Sequence, residues 1–160
     1  MAHPTADDKL IKQTLTSAKT IAMVGVSSAK KGEVSTKIRR RPSIIVMKYL
    51  QEFGYRVIPV NPFSVGKKIY GETILSQLED ITIPIDIVDV FRPSVEAPAI
   101  AEQAIKIKAK VFWLQYGINS DEAEKIAKSK NIIYISNKCI KQEYQRLFLK
   151  VSPVFPALKN

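Results

Sequence analysis

The stretch Lys19–Pro62, KTIAMVGVSSAKKGEVSTKIRRRPSIIVMKYLQEFGYRVIPVNP, decides the fold. Its apolar run Ile21–Val24 ends at Gly25, as a buried parallel strand does where it turns toward a ligand. Further on, SIIVMKYLQEFG places Ile45, Lys48 and Tyr49 at i, i+3 and i+4, extends its apolar face through Phe53 and stops at Gly54, a C-terminal helix signal. A second Val/Ile block, Arg56–Val60, follows at once and ends in Asn61 and Pro62. Strand, helix and strand in this order require a parallel pair, because only a long crossover returns the chain to the same end of a sheet.

The alternation continues outward. Strands are expected at Thr20–Val24, Arg56–Val60, Ile85–Val90, Val111–Leu114 and Ile132–Ile135. Helical patterns lie between and after them: a short one in TILSQLED, one from Ser94 in SVEAPAIAEQAIKIKA, one in NSDEAEKIAKSKN with acids first and lysines last, and a C-terminal one beginning IKQEYQRLF. The fold class is therefore α/β, a doubly wound open parallel sheet of about five strands. Such a sheet takes its ligand outside the carboxyl ends of its strands. That brings the turns at 25–28, 61–62, 91–94, 115–117 and 137–139 to one crevice.

Composition sets the frame. A chain of 160 residues, 46% hydrophobic and 25% charged, makes one globular domain. No apolar run is long enough to span a bilayer, and MAHPTADDKL has no basic start backed by an apolar core, so a soluble, cytoplasmic protein with no membrane partner is expected. The formal charge of +10 favours anionic partners, although many lysines are scattered as on solvated helix faces. Cys139 is the only cysteine, so no intramolecular disulfide forms.

The crevice lacks the common nucleotide signatures. After Gly25 come Val26, Ser27, Ser28, Ala29, Lys30, Lys31, Gly32 and Glu33, which match neither G-x-G-x-x-G nor G-x-x-x-x-G-K-[ST]. The second strand ends in Asn61 where a nicotinamide-binding domain usually carries a ribose-gripping carboxylate. What remains suits phosphate: a glycine for close approach, Ser27 and Ser28 as donors, and Arg39, Arg40 and Arg41 before a helix that begins near Ser43. Phe91, Arg92 and Pro93 form a ledge suited to one face of an adenine ring, and Phe91 is equally placed to be core. Trp113 and Gln115 share one face of their strand, opposite Leu114, and Gln115 offers an amide beside Gly117.

Catalytic groups are scarce. The sole histidine, His3, lies in a polar N-terminal tail, and no G-x-S-x-G occurs. Asp86 belongs to the strand start, away from the carboxyl end, and Asp89 alone makes no acid/base pair. Cys139, beside Lys138 and Lys141, is either a thiol with a depressed pKa or a small buried hydrophobe. The residues favour binding over catalysis.

Taken in order, IAMVGVSS, RPSIIVMKYLQEFGYRVIPVNP, IYGE, PIDIVDVFRP, AKVFWLQYGI and NKCIKQEY resemble the small CoA-binding Rossmann proteins related to the CoA-binding domain of the succinyl-CoA synthetase alpha subunit. The resemblance covers residues 10–150 as a CoA-binding domain and leaves 151–160 as a C-terminal tail. It implies coenzyme A or an acyl-CoA as ligand, lying across the strand ends. Gly25, Val26 and Ser27 would approach the pyrophosphate, while Arg41, Ser43 and Lys48 would line its anionic side. Asn61 and Pro62 would bracket the nucleotide, and Phe91 and Arg92 would border the adenosine or pantetheine path. Gln115, Gly117 and Cys139 match further motif positions near the same crevice. Extra residues around KKGEVSTKI depart from the family pattern, and the larger relative's ligase domain with its phosphohistidine is missing, so the resemblance carries binding and no ligase chemistry.

Two rival readings stand beside it. An NAD(P)-dependent oxidoreductase would use Arg39–Arg41 on a 2′-phosphate, which Asn61 tolerates better than a carboxylate would. A non-specific nucleic-acid-binding protein would use the +10 charge and KIRRRP, and is disfavoured because the basic residues are dispersed and no reading module is visible. A homo-oligomer is left open by the apolar tail VSPVFPAL.

Overall fold

The structure is a computed structural model that describes residues 6–26 and 41–149. Ser27, Ser28, Arg39, Arg40, the KKGEVSTKI segment, His3 and the C-terminal tail therefore lie outside the described residues.

Five strands form one parallel sheet: β1 (Thr20–Val24), β2 (Arg56–Val60), β5 (Ile87–Val90), β6 (Val111–Leu114) and β7 (Ile133–Ile135), in the order β2-β1-β5-β6-β7. The chain runs from β1 outward to β2, then crosses β1 to reach β5, so strand order reverses between β1 and β5. Three of the expected strands have the bounds read from sequence. The third begins at Ile87, because Asp86 spends its carboxylate on the amides of Lys19 and Thr20 at the foot of β1. Pro59 is accommodated because β2 is an edge strand: its carbonyl turns outward to accept from Leu75 (3.0 Å), so the missing N–H costs no ladder bond.

Alternation along each strand divides the core between two faces. Ile21, Met23, Val57, Ile87, Val111 and Trp113 face one layer, with helices α1 (Asp8–Ser17), α2 (Pro42–Glu52) and α5 (Ile140–Tyr144). Ala22, Val24, Ile58, Val88, Val90, Phe112 and Leu114 face the other, with α3 (Ala97–Lys106) and α4 (Asp121–Ser129). Trp113 and Leu114 thus divide between the faces as the parity argument requires.

Three elements differ from the sequence reading. Helix α1 was not expected; Asp7 caps it by accepting from the Leu10 amide (2.8 Å), and Ile11 and Leu15 bury one turn apart. Its end is tied to the sheet by the Tyr55 hydroxyl, which donates to the Leu15 carbonyl. TILSQLED is not a helix: its start belongs to a two-stranded hairpin, β3 (Lys68–Ile69) with β4 (Glu72–Thr73), and its end to a single 3-10 turn, Leu78–Asp80. The reason is competition from the sheet edge, where Leu75 bridges to Val60 and exchanges backbone bonds with Pro59 and Asn61. The C-terminal helix is brief, passing at Gln145 into a π turn through Leu149. Among the described residues, no helix is long and apolar enough to cross a membrane.

Candidate functional site

At the carboxyl ends of the strands the ladders run one residue past the sheet. The Gly25 amide donates to Val60 (2.8 Å), Phe91 to Val24 (2.8 Å) and Gln115 to Val90 (3.2 Å), which fixes three turns at one level. Gly25 holds φ +93°, and a Cβ there would stand 2.7 Å from Arg92 Cδ and 3.0 Å from the Phe91 carbonyl oxygen. Glycine is thus required twice, by backbone conformation and by the Arg92 stem laid against it.

A cleft of ≈ 230 Å³ opens here, on the α3 side of the switch between β1 and β5. Val24, Gly25 and Val60 form its floor, Ile100 and Gln103 of α3 one wall, and Asn61, Pro62, Phe63, Ser76 and Gln77 the lip. Arg92 and Glu96 close the remaining side and are the only charged groups among the described lining residues. Glu96 accepts from Arg92 Nε (3.1 Å) and from Nη2 (2.7 Å), a bidentate pair whose side chains are 42% and 36% exposed. Hydrogen bonding to that carboxylate raises the Arg92 pKa.

Of the residues singled out from sequence, Gly25, Asn61, Pro62 and Arg92 line this cleft. Asn61 also shapes it: its Nδ2 donates to the Val26 carbonyl (2.8 Å) and its Oδ1 accepts from the Phe63 amide (2.9 Å), tying the second turn to the first. The rest are distributed around the other face. Val26 is fully buried, and Phe91 is half-buried against the α2 side of the core. Arg41 is the N-cap residue of α2, where its carbonyl accepts from Ile45 (3.0 Å), and Ser43 is buried in the first turn. Lys48 lies out on the same helix, 4.0 Å from Glu52 and over the Tyr70 ring. Gln115 is buried and accepts from the Ile140 amide (3.1 Å), and the Gly117 amide donates to Asn137 Oδ1 (2.7 Å). Cys139 is the N-cap residue of α5 and packs partly buried on the α2-side core. Gln115 and Asn61 therefore both spend side-chain groups on holding turns together.

Sequence reasoning did not find Phe63, Gln77, Glu96 or Gln103. Glu96 had a visible signal, its i, i+4 spacing from Arg92, and Phe63 directly follows Pro62 in the Asn61 turn, whereas Gln77 reaches the cleft only after the unforeseen hairpin. Phe63 is 84% exposed, an uncompensated aromatic at the mouth.

One ionisable group lies outside the cleft yet under the same strand ends. Asp89 is completely buried in β5, level with Met23 and Trp113, and neither carboxylate oxygen has a hydrogen-bond partner among the described residues. Burial pushes its pKa well above the usual carboxylate range.

Comparison with known proteins supplies the family. The chain is 39% identical over 131 residues to an uncharacterized protein of Bacillus subtilis (strain 168), YneT, an alignment covering 82% of this chain and 89% of that protein. Among solved structures it resembles cell-free ID.343 from Thermus thermophilus, with a TM-score of 0.80 and 35% identity over 89% of this chain and 100% of the other. A hypothetical protein from Pyrococcus horikoshii OT3 superposes with a TM-score of 0.79 at 35% identity, covering 92% of this chain and 98% of its own. The model of the CoA binding domain family matches residues 19–145, which takes in the whole sheet and every turn around the cleft, and the chain belongs to that family.

Proposed function

We propose that this protein binds coenzyme A or an acyl-CoA across the carboxyl ends of its strands, and that this domain binds without catalysis of its own. The observation that carries the reading is the cleft at the β1/β5 switch, where Gly25 lets the Arg92 stem lie against the backbone and Arg92 supplies a cation. At ≈ 230 Å³ the cleft falls below the roughly 300–1,000 Å³ of sites that enclose a drug-sized ligand. It suits one ring system, with the remainder of a longer ligand lying along the strand ends. Phe63 offers a stacking face, and the Gln77 and Gln103 amides carry both donors and acceptors for the edge of an adenine. The phosphates then fall near Gly25 and Arg92. The family resemblance suggests Arg41, Ser43 and Lys48 for the anionic side of the same ligand; they belong to α2, on the opposite face of the sheet, and would meet it where it passes over the strand ends.

The test is calorimetric titration of ligand-stripped protein with CoA, with NADPH in parallel by equilibrium dialysis. Saturable binding of CoA, with a rise in melting temperature, is expected. Absence of both heat and thermal shift at saturating CoA refutes the reading, and retention of NADPH alone replaces it with a nicotinamide site. Mass spectrometry of small molecules released from freshly purified protein identifies the acyl group.

A further inference from the structure

Among the described lining residues of the cleft that would receive an anion, the charges cancel, Arg92 against Glu96. Both contacts of the pair fall on the guanidinium's Nε–Nη2 edge, which is the edge that also matches two oxygens of a phosphate. The two side chains differ in freedom. The Arg92 stem is pinned: its Cδ and Cγ lie 2.7 and 3.0 Å from where a Gly25 Cβ would be, so the stem fills the space that the glycine vacates. Glu96 stands in the 3-10 turn Ser94–Glu96 and is the residue immediately before α3, with its side chain 42% exposed. A carboxylate at that place retains a favourable environment without Arg92, because it stands in solvent at the start of α3, where the helix dipole favours negative charge.

We propose that Glu96 is a competitor built into the site: its carboxylate occupies the Arg92 fork where a phosphate group of the ligand belongs, and binding exchanges one partner for the other. The exchange rests on the reading of the cleft as a CoA site, and it makes Glu96 a determinant of specificity. A neutral ligand gains nothing from Arg92, a weak anion cannot displace the carboxylate, and a phosphoanhydride carrying more than one charge can. Swinging away leaves Glu96 solvated at the helix start and Arg92 paired, so no charge is stranded.

The experiment compares the wild type, Glu96→Gln and the double variant Arg92→Gln/Glu96→Gln, with CoA followed by calorimetry and with inorganic pyrophosphate and adenosine followed by protein-observed NMR. Gln keeps the size of Glu and removes the competing charge. Glu96→Gln is expected to bind CoA and pyrophosphate about 2- to 5-fold more tightly, the scale of an exposed ion pair relieved, with adenosine unchanged. The gain should vanish in the double variant. Equal or weaker anion binding by Glu96→Gln overturns the proposal and makes Glu96 a support that orients Arg92. A gain that survives loss of Arg92, or no pyrophosphate binding by any variant, overturns it as well. Failure of CoA to bind the wild type, with pyrophosphate still tightened by Glu96→Gln, leaves the exchange standing and removes the CoA reading instead.

Discussion

Replacing Asp89 by valine should stabilise the protein, and the gain should depend on pH. The side chain is fully buried between Met23 and Trp113, and neither oxygen finds a partner among the described residues. Even protonated, a buried carboxyl without hydrogen bonds costs about 1–3 kcal/mol. Valine is of similar size, is apolar and suits a strand buried on both faces. At pH 4 the variant should therefore be more stable by about 1–3 kcal/mol, which for a domain of this size raises the melting temperature by roughly 2–12 °C. A second contribution enters above that pH. Beyond the ordinary carboxyl value of 3.8 the unfolded chain releases the proton that the folded chain keeps, so wild-type stability falls as pH rises. The slope is about 1.4 kcal/mol per pH unit, and it ends where pH reaches the raised native pKa. Urea denaturation of both proteins from pH 4 to 8 reads the difference directly, since every other titrating group is common to them. A variant less stable than the wild type, or a difference that does not widen with pH, refutes the reasoning and shows Asp89 to be a satisfied, ionised group.

Two further outcomes follow from neighbouring features. Gly25→Ala should lose about 1–3 kcal/mol and weaken CoA binding, because it adds a Cβ at φ +93° only 2.7 Å from Arg92 Cδ; Gly54→Ala, at φ +95° with nothing within 4 Å, is the control for backbone strain alone. Burial raises the Asp86 pKa, but the Lys19 and Thr20 amides and the Lys110 ammonium outweigh it and hold the carboxyl below 3.8. Its stabilisation is thus full above 3.8 and is lost as pH falls through the lowered native value. Asp86→Asn should be less stable by about 1–2 kcal/mol at pH 7, with a deficit that closes only in acid below 3.8, measured by urea denaturation carried down to about pH 2.

The sheet was legible because a strand covered on both faces needs Val and Ile at nearly every position, and Ile21–Val24, Val57–Val60 and Val111–Leu114 have no competing pattern. Helix α1 was hidden because it buries little: Ile11, Thr14 and Leu15 stand among Lys9, Lys12 and Gln13, although Asp7 ahead of Ile11 and Leu15 was a usable N-cap signal. The hairpin after β2 was not legible, since Tyr70 at φ +47° and Gly71 at φ +84° make its turn and a sheet edge, invisible in sequence, recruits Leu75. The same excursion brings Ser76 and Gln77 to the cleft. Sequence position named the strand-end half of the site, Gly25, Asn61 and Arg92. The half supplied by α3 and the hairpin depends on tertiary placement.

The order in which the strands lie has a consequence for how the protein is made. β1 pairs with β2, 36 residues ahead of it, on one side, and with β5 on the other, Ile21 standing opposite Ile87 across 66 residues of chain. A growing polypeptide can complete the first pairing early. It cannot shield the second edge of β1 until β5 has been synthesised. Throughout that interval Ile21–Val24, which become almost wholly buried, present an unpaired row of backbone donors and acceptors flanked by apolar side chains. A chain ending near residue 80 would be caught permanently in this state, so truncation before β5 should give a product that needs a chaperone or forms aggregates, whatever ligand is supplied.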